Sequence, residues 1–184
     1  MTFDAVIAAG GVVVFPADTV YGLACDPSNE QAVARLYALK GRPPDKPAAV
    51  MFFDRDQALF PELSPRTRRL MERLLPGAVT LLVPSDRFPL AGGAGTLGLR
   101  VPDIPALGSR PVLQSSANVA GGADARRLED VPEAIRRGAD LALDGGELPG
   151  TPSTVVDLRP YERGGEPLVV RAGPVPEPVI RSLA

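Results

Sequence analysis

The sequence predicts an α/β fold, a single-domain twisted mixed sheet with flanking helices. Three observations predict it. Short apolar runs of strand length recur along all 184 residues, and 21 prolines and 19 glycines punctuate them without any internal repeat or low-complexity linker. Helix start signals lie between some of these runs but not all. Not every strand pair can then have a helical crossover, so parallel and antiparallel pairs must coexist. A hydrophobic content of 45% is enough for one sizeable core, and a single domain over residues 1–184 is expected.

Taken in order, residues 11–16 (Gly-Val-Val-Val-Phe-Pro) read as a buried strand. Ser28 with Gln31 three residues later has the form of a capping box, opening a helix that Gly41 stops and placing Lys40 at the helix end. Further strands are expected over 48–53, 79–83, 97–101, 112–115, 141–143, 154–158 and 168–170. Ser64-Pro65 supplies an N-cap and an N1 proline for a helix running to Leu75. Asp130 is expected to cap another helix reaching Arg137, and residues 176–184 form a last one.

Composition excludes several chemistries. There is no histidine and only one cysteine, Cys25, which rules out an internal disulfide, a Cys/His zinc site and any histidine base. Without a histidine to activate it, Cys25 reads as a small core residue. A net charge of -2 and a pI near 5.3 argue against binding nucleic acid through global charge, though a local basic cleft remains compatible. The N-terminal residues carry no basic region before an apolar run. No stretch reaches the ~18 apolar residues of a membrane span, so a cytoplasmic protein is expected.

The lysines are the most telling feature. Lys40 and Lys46 are the only two among 20 basic residues, and they flank Arg42 in Lys40-Gly41-Arg42-Pro43-Pro44-Asp45-Lys46-Pro47. A chain that uses arginine everywhere else but keeps lysine twice within seven positions points to a need for a compact ammonium there. A second motif is rejected. Residues 93–98 match Gly-x-Gly-x-x-Gly formally, but a strand follows where a dinucleotide fingerprint requires a helix, so they read as a flexible surface loop. No Gly-x-x-x-x-Gly-Lys-Ser/Thr loop exists either, so a nucleotide site here must hold phosphates without a P-loop.

Four segments occur in a telling order: Pro16-Ala17-Asp18-Thr19-Val20-Tyr21-Gly22-Leu23, the Lys40 to Pro47 run, Ser115-Ser116-Ala117-Asn118, and Ser153-Thr154-Val155-Val156-Asp157. Together with residues 75–80, Arg100-Val101-Pro102 and Val170-Arg171-Ala172-Gly173, they make nearly the whole chain resemble the YrdC-like family of L-threonylcarbamoyladenylate synthases. The resemblance implies the YrdC-like (DHBP synthase-like) fold, in a short form without the extra C-terminal domain of some members. It also implies an ATP-dependent reaction. Threonine and bicarbonate or CO2 form a carbamate, whose oxygen attacks the α-phosphate and expels pyrophosphate. The product, threonylcarbamoyl-AMP, then goes to a threonylcarbamoyl transferase complex that modifies the tRNA adenosine beside the anticodon, with tRNA itself a further candidate partner.

By the same resemblance, Lys40, Arg42 and Lys46 form the catalytic cation group. Arg42, Lys46, Thr96, Ser116, Asn118 and Arg171 contact ATP, and Thr19, Arg100 and Ser153 contact threonine. The residue types suit the task, because attack at phosphorus asks for positioning and for cations around developing charge. Tyr21 suits either a place beneath the site or plain core packing. Ala17, Ile104 and Ala120 depart from the family pattern of threonine, histidine and serine, which leaves the detail of the amino-acid pocket open. No acidic pair stands out as metal ligands, so Mg2+ is expected to arrive with ATP and no metal-binding residue is assigned. Two alternatives remain: a non-catalytic module binding structured RNA, and a carbamoyl-adenylate domain like those in hydrogenase-maturation proteins.

Overall fold

The computed structural model describes residues 1–93 and 95–184. Its sheet contains nine strands: β1 (Val13–Pro16), β2 (Tyr21–Cys25), β3 (Ala49–Met51), β4 (Val79–Pro84), β5 (Thr96–Arg100), β6 (Val112–Ser116), β7 (Leu141–Ala142), β8 (Thr154–Asp157) and β9 (Leu168–Arg171). Their spatial order is β7-β1-β2-β6-β3-β5-β4-β8-β9. The pairs β1/β7, β3/β5 and β4/β8 are parallel and the rest antiparallel, which is the mixed sheet expected. The helices are α1 (Phe3–Ala8), α2 (Glu30–Lys40), α3 (Arg55–Ala58), α4 (Pro65–Leu74), α5 (Glu133–Gly138), α6 (Arg159–Glu162) and α7 (Glu177–Leu183).

The strand period of two sorts side chains between two hydrophobic layers. Val12, Val14, Leu23 and Cys25 join the main core with Leu36 and Tyr37 of α2 and Leu70 and Met71 of α4. The alternate residues Val13, Phe15, Ala24, Met51 and Val112 point the other way and pack against Phe3, Val6 and Ile7 of α1. Helix α1 thus covers only one end of that second face. Farther along the same face, Gly22, Ala49, Gly98, Arg100, Gln114 and Ser116 line an open cleft.

Local signals explain the element ends. The α2 cap is Asn29, whose Oδ1 accepts from Ala32 N at 3.0 Å, and not the Ser28 expected. Ser28 instead donates its hydroxyl to Asp26 at 2.6 Å in the preceding turn. Gly41 closes the helix as expected, at φ +62°, with its own N–H and that of Arg42 reaching back to the last turn. Ser64 caps α4 through Thr67 N at 3.2 Å, behind Pro65. Asp130 does not cap α5. Its carboxylate accepts from Arg126 N and Arg127 N at 3.1 and 2.9 Å, closing a separate 3-10 turn (Leu128–Asp130), and α5 begins after Pro132. The short helices α1, α3 and α6 and strand β2 were not expected from the sequence. In the glycine-rich segment, Thr96 does open a strand rather than a helix, while Ala94 lies outside the described residues.

Gly41 allows a clean test of this architecture. A Cβ there would meet nothing within 4 Å, so Gly41→Ala should cost only the left-handed backbone conformation, about 1–2 kcal/mol. The urea midpoint is expected to fall with an unchanged m-value, and Gly41→Asn should recover part of the loss.

Candidate active site

The cleft has a volume of about 330 Å³ and is walled by the turn after β1, the open face of β2 to β6, and the segment entering β8. At one end lies Arg100, at the close of β5 and only 4% exposed. Its Nη2 donates to Asp18 Oδ1 at 2.5 Å and lies 3.4 Å from Thr19 Oγ1. Burial pulls the Arg100 pKa down and Asp18 opposes it, so the group stays a cation. Its Nε is buried without a hydrogen-bond partner among the described residues. An unmet buried donor of this kind costs about 1–3 kcal/mol. Buried Ser153, just before β8, places its hydroxyl 2.8 Å from Thr80 Oγ1. Thr19, Arg100 and Ser153, expected together as the amino-acid contacts, all line the same cleft.

At the other end the picture departs from expectation. Lys40 is not among the residues lining the cleft; it is 3% exposed, and its ammonium points into the loop after β6. There it donates to Ser116 O (2.7 Å), Ser116 Oγ (3.2 Å), Asn118 O (3.0 Å) and Asn118 Oδ1. Three ammonium protons facing four oxygens leave none for a phosphate. Burial first, then the charges of Arg42 and Lys46 against the opposing pull of Asp124, bring its pKa down to about 8. The Asn118 amide is equally occupied, accepting from Ser116 Oγ at 2.7 Å and donating to Gly122 O at 2.6 Å. Both residues, expected as direct contacts, sit behind the cleft wall and hold Ser116 at its surface.

Arg42 does line the cleft, with its guanidinium folded over its own loop: Nε donates to Lys46 O at 3.2 Å, Nη2 to Pro47 O, and the Tyr37 ring centroid lies 5.7 Å away. Lys46 is exposed, and its ammonium makes no hydrogen bond or ion pair among the described residues, although it does not line the cleft. Thr96 and Arg171 line the cleft as well. Thr96 Oγ1 accepts from Arg159 Nη1 at 2.9 Å, and Arg159 is held by Asp157 at 2.6 Å. Arg171 donates to Ser153 O at 2.7 Å. Tyr21 does both jobs left open for it: fully buried, it lines the cleft floor, and its hydroxyl meets Gly145 N and Gly146 O at 2.9 Å each, tying down the 144–146 segment.

Sequence reasoning missed the carboxylates. Asp18 directly precedes Thr19, but its partner Arg100 is 82 residues away, and nothing local announces the pair. Asp124, which also lines the cleft, carried no motif at all. Cys25 behaves as expected, buried in the core with burial pushing its thiol up to about 12. Among the described residues there is no cluster of three or more potential metal ligands, and no helix is long and apolar enough to cross a membrane.

A sheet with one face left open, carrying hydroxyls and arginines around a cleft, is the arrangement of a small-molecule-binding α/β protein. The chain belongs to the Sua5/YciO/YrdC family, whose model, described as telomere recombination, matches residues 5–173. It is 33% identical over 182 residues to a threonylcarbamoyl-AMP synthase of Pyrococcus abyssi, covering 92% of this chain and 52% of that protein. It is 36% identical over 180 residues to one of Pseudomonas entomophila, covering 91% and 93%. The chain thus spans about half the length of the Pyrococcus relative and nearly all of the Pseudomonas one. Among solved structures, P. abyssi Sua5 complexed with L-threonine superposes with a TM-score of 0.86 at 31% identity, covering 97% of this chain and 55% of that one. E. coli YciO gives 0.79 at 27%, covering 94% and 87%.

The buried ammonium has a measurable signature. Lys40→Met should destabilise the protein by about 1–3 kcal/mol by stranding the oxygens of Ser116 and Asn118. Burial brings the Lys40 pKa from 10.5 down to about 8, so below about pH 8 the fold carries the full cost of the buried charge, and that cost is relieved as pH rises between the two values. The stability margin of the wild type over Lys40→Met is therefore expected to widen between about pH 8 and pH 10 in matched denaturant melts.

Proposed function

We propose that this protein makes L-threonylcarbamoyl-AMP from threonine, bicarbonate or CO2, and ATP, releasing pyrophosphate. The observation that carries the reading is the two-ended cleft. One end holds a buried arginine beside the Thr19 hydroxyl, with the Ser153 hydroxyl in the same cleft, and the other holds Arg42 and Ser116 on a wall pinned from behind. Arg100 with Thr19 and Ser153 offers a cation and hydroxyl partners for an amino acid's carboxylate and side-chain hydroxyl. Arg42, with Lys46 on the same loop, offers cations for phosphates, and Thr96, Ser116 and Arg171 polar contacts along the nucleotide. The names of the Pyrococcus and Pseudomonas relatives, and the threonine bound to P. abyssi Sua5, support the same reading.

In this scheme the threonine nitrogen bonds to carbon dioxide and loses a proton. A carbamate oxygen then bonds to the α-phosphorus as the bond to the bridging oxygen of pyrophosphate breaks. With no histidine in the chain, the residues contribute by position and charge, which is what phosphorus chemistry chiefly requires. Mg2+ accompanies the triphosphate and screens its charge when bound. The single YrdC-like domain, the cytoplasmic setting, and delivery of the adenylate to a threonylcarbamoyl transferase complex for tRNA modification belong to the same proposal. Lys40 and Asn118 act in it as supports for Ser116.

Incubation with ATP, Mg2+, bicarbonate and single amino acids, followed by pyrophosphate release and the mass of the AMP adduct, tests the reaction directly. Threonine is expected to be used best, then serine, which loses one methyl worth about 1–3 kcal/mol, and then valine, which strands the pocket's hydroxyl partner. Valine used as well as threonine would overturn the pocket. Lys46→Ala should lower kcat/KM about tenfold or more with an unchanged melting temperature, and Arg42→Ala, which also loses its contacts to Lys46 O and Pro47 O, should lower it at least as far. Near wild-type turnover for either would remove that residue from the phosphate site.

A further inference from the structure

Three arginines, Arg42, Arg100 and Arg171, line the cleft, and Asp124 is the one carboxylate among the described residues that joins them. It is half-buried, and its carboxylate makes no hydrogen bond or ion pair among the described residues. That distinguishes it from Asp18, whose carboxylate is bound to Arg100, and from Asp157, bound to Arg159. The backbone around it is fixed. Tyr21 N donates to Ala125 O at 3.0 Å and Ala117 N to Tyr21 O at 2.8 Å, so residue 124 is held next to the strand that carries the cleft floor. In a site for polyanions, an unpaired carboxylate repels the ligand unless a cation comes between them.

We propose that Asp124 is the cation-receiving group of this cleft and that, together with phosphate oxygens, it holds the divalent metal that accompanies the nucleotide. This rests on the nucleotide reading above. A single carboxylate beside phosphates is a donor set that suits Mg2+, which keeps several of its waters and commonly takes one or two protein carboxylates. The other cation available is the ammonium of the amino acid, and charge placement favours the metal. Ala117, the residue after Ser116, donates its N–H to Tyr21 O while Tyr21 N donates to Ala125 O, which sets residue 124 beside the Ser116 end, whereas the carboxylate at Arg100 is that of Asp18, 2.5 Å away. The amino-acid end already has its own carboxylate in Asp18, and Asp124 serves the phosphate end.

The test is titration calorimetry of the wild type and Asp124→Asn with ATP in excess EDTA, with ATP and Mg2+, and separately with threonine. The wild type is expected to favour Mg2+·ATP over metal-free ATP by about tenfold or more. Asp124→Asn should reduce this preference to about threefold or less, by weakening the Mg2+ complex while binding metal-free ATP as tightly or more tightly, since a negative charge has left the site. Mn2+·ATP observed by electron paramagnetic resonance should lose its protein-induced line broadening in the same variant. Asp124→Glu, which keeps a carboxylate, should restore part of the preference. An unchanged metal preference, or an equal loss for both forms of ATP, would overturn the proposal. So would a loss of threonine affinity with the metal preference intact, which would assign Asp124 to the ammonium. If the wild type binds neither form of ATP, the nucleotide reading itself falls; binding without a change of preference removes only Asp124.

Discussion

The cleft depends on one buried ammonium. Lys40, the last residue of α2, grips the carbonyls of Ser116 and Asn118, and its own carbonyl accepts from Ala120 N at 2.9 Å. Two segments about 76 positions apart are joined there: the helix end that leads into the Arg42 to Pro47 loop, and the strand end that presents Ser116. No carboxylate hydrogen-bonds Lys40 among the described residues; carbonyl, hydroxyl and amide oxygens hold its ammonium, and the charge of Asp124 acts on it only from farther off. A buried charge held this way is costly, which its lowered pKa records. The return on that cost is a fixed relation between a helix terminus and a strand terminus at the same wall of the site.

The location of the site follows from incomplete cover. Helix α1 has six residues, enough to bury Val13, Phe15, Ala24 and Met51 of β3 but not to cover β5 and β4. Beyond its reach the same face exposes small or polar side chains: Ala49, Gly98, Gln114 and Ser116. Gly22 marks the boundary between the two zones. A Cβ on it would lie 2.8 Å from the Phe15 ring, so the aromatic that seals the α1 core also requires the glycine that opens the floor of the cleft. Packing and access are decided by the same two residues.

Much of this was legible in the sequence, because it depends on local periodicity and punctuation. The apolar runs became strands within a residue or two of their expected ends, and Gly41 and Ser64-Pro65 ended and began helices as capping chemistry requires. The illegible parts are those set by tertiary partners. Strand β2 was hidden inside a segment noticed for Thr19 and Tyr21. Its all-buried pattern, with Gly22 and Cys25 included, lacks the alternation that marks a half-exposed strand. Ser28 and Asn29 both had capping chemistry, and the choice between them turned on Asp26 capturing the serine. The ion pair of Asp18 with Arg100 joins residues with no sequence relation at all.

The two lysines among arginines now have different physical explanations. Lys40 sits where four oxygens converge on one nitrogen, three of them 2.7 to 3.2 Å away. A compact ammonium with three rotatable donors satisfies such a knot, whereas a planar guanidinium cannot converge its five donors on one point and would overfill a site that is 3% exposed. Lys46 is exposed on a loop whose backbone, not its side chain, is anchored, through the Tyr37 hydroxyl at 2.9 Å and Arg42. Its carbonyl is anchored, while its ammonium makes no hydrogen bond or ion pair among the described residues and is a point charge on a flexible stem. One lysine is required by the shape of a buried cage and the other is exposed on the loop that follows it, so the pair that stands out in composition divides between holding the wall and the proposed phosphate contact.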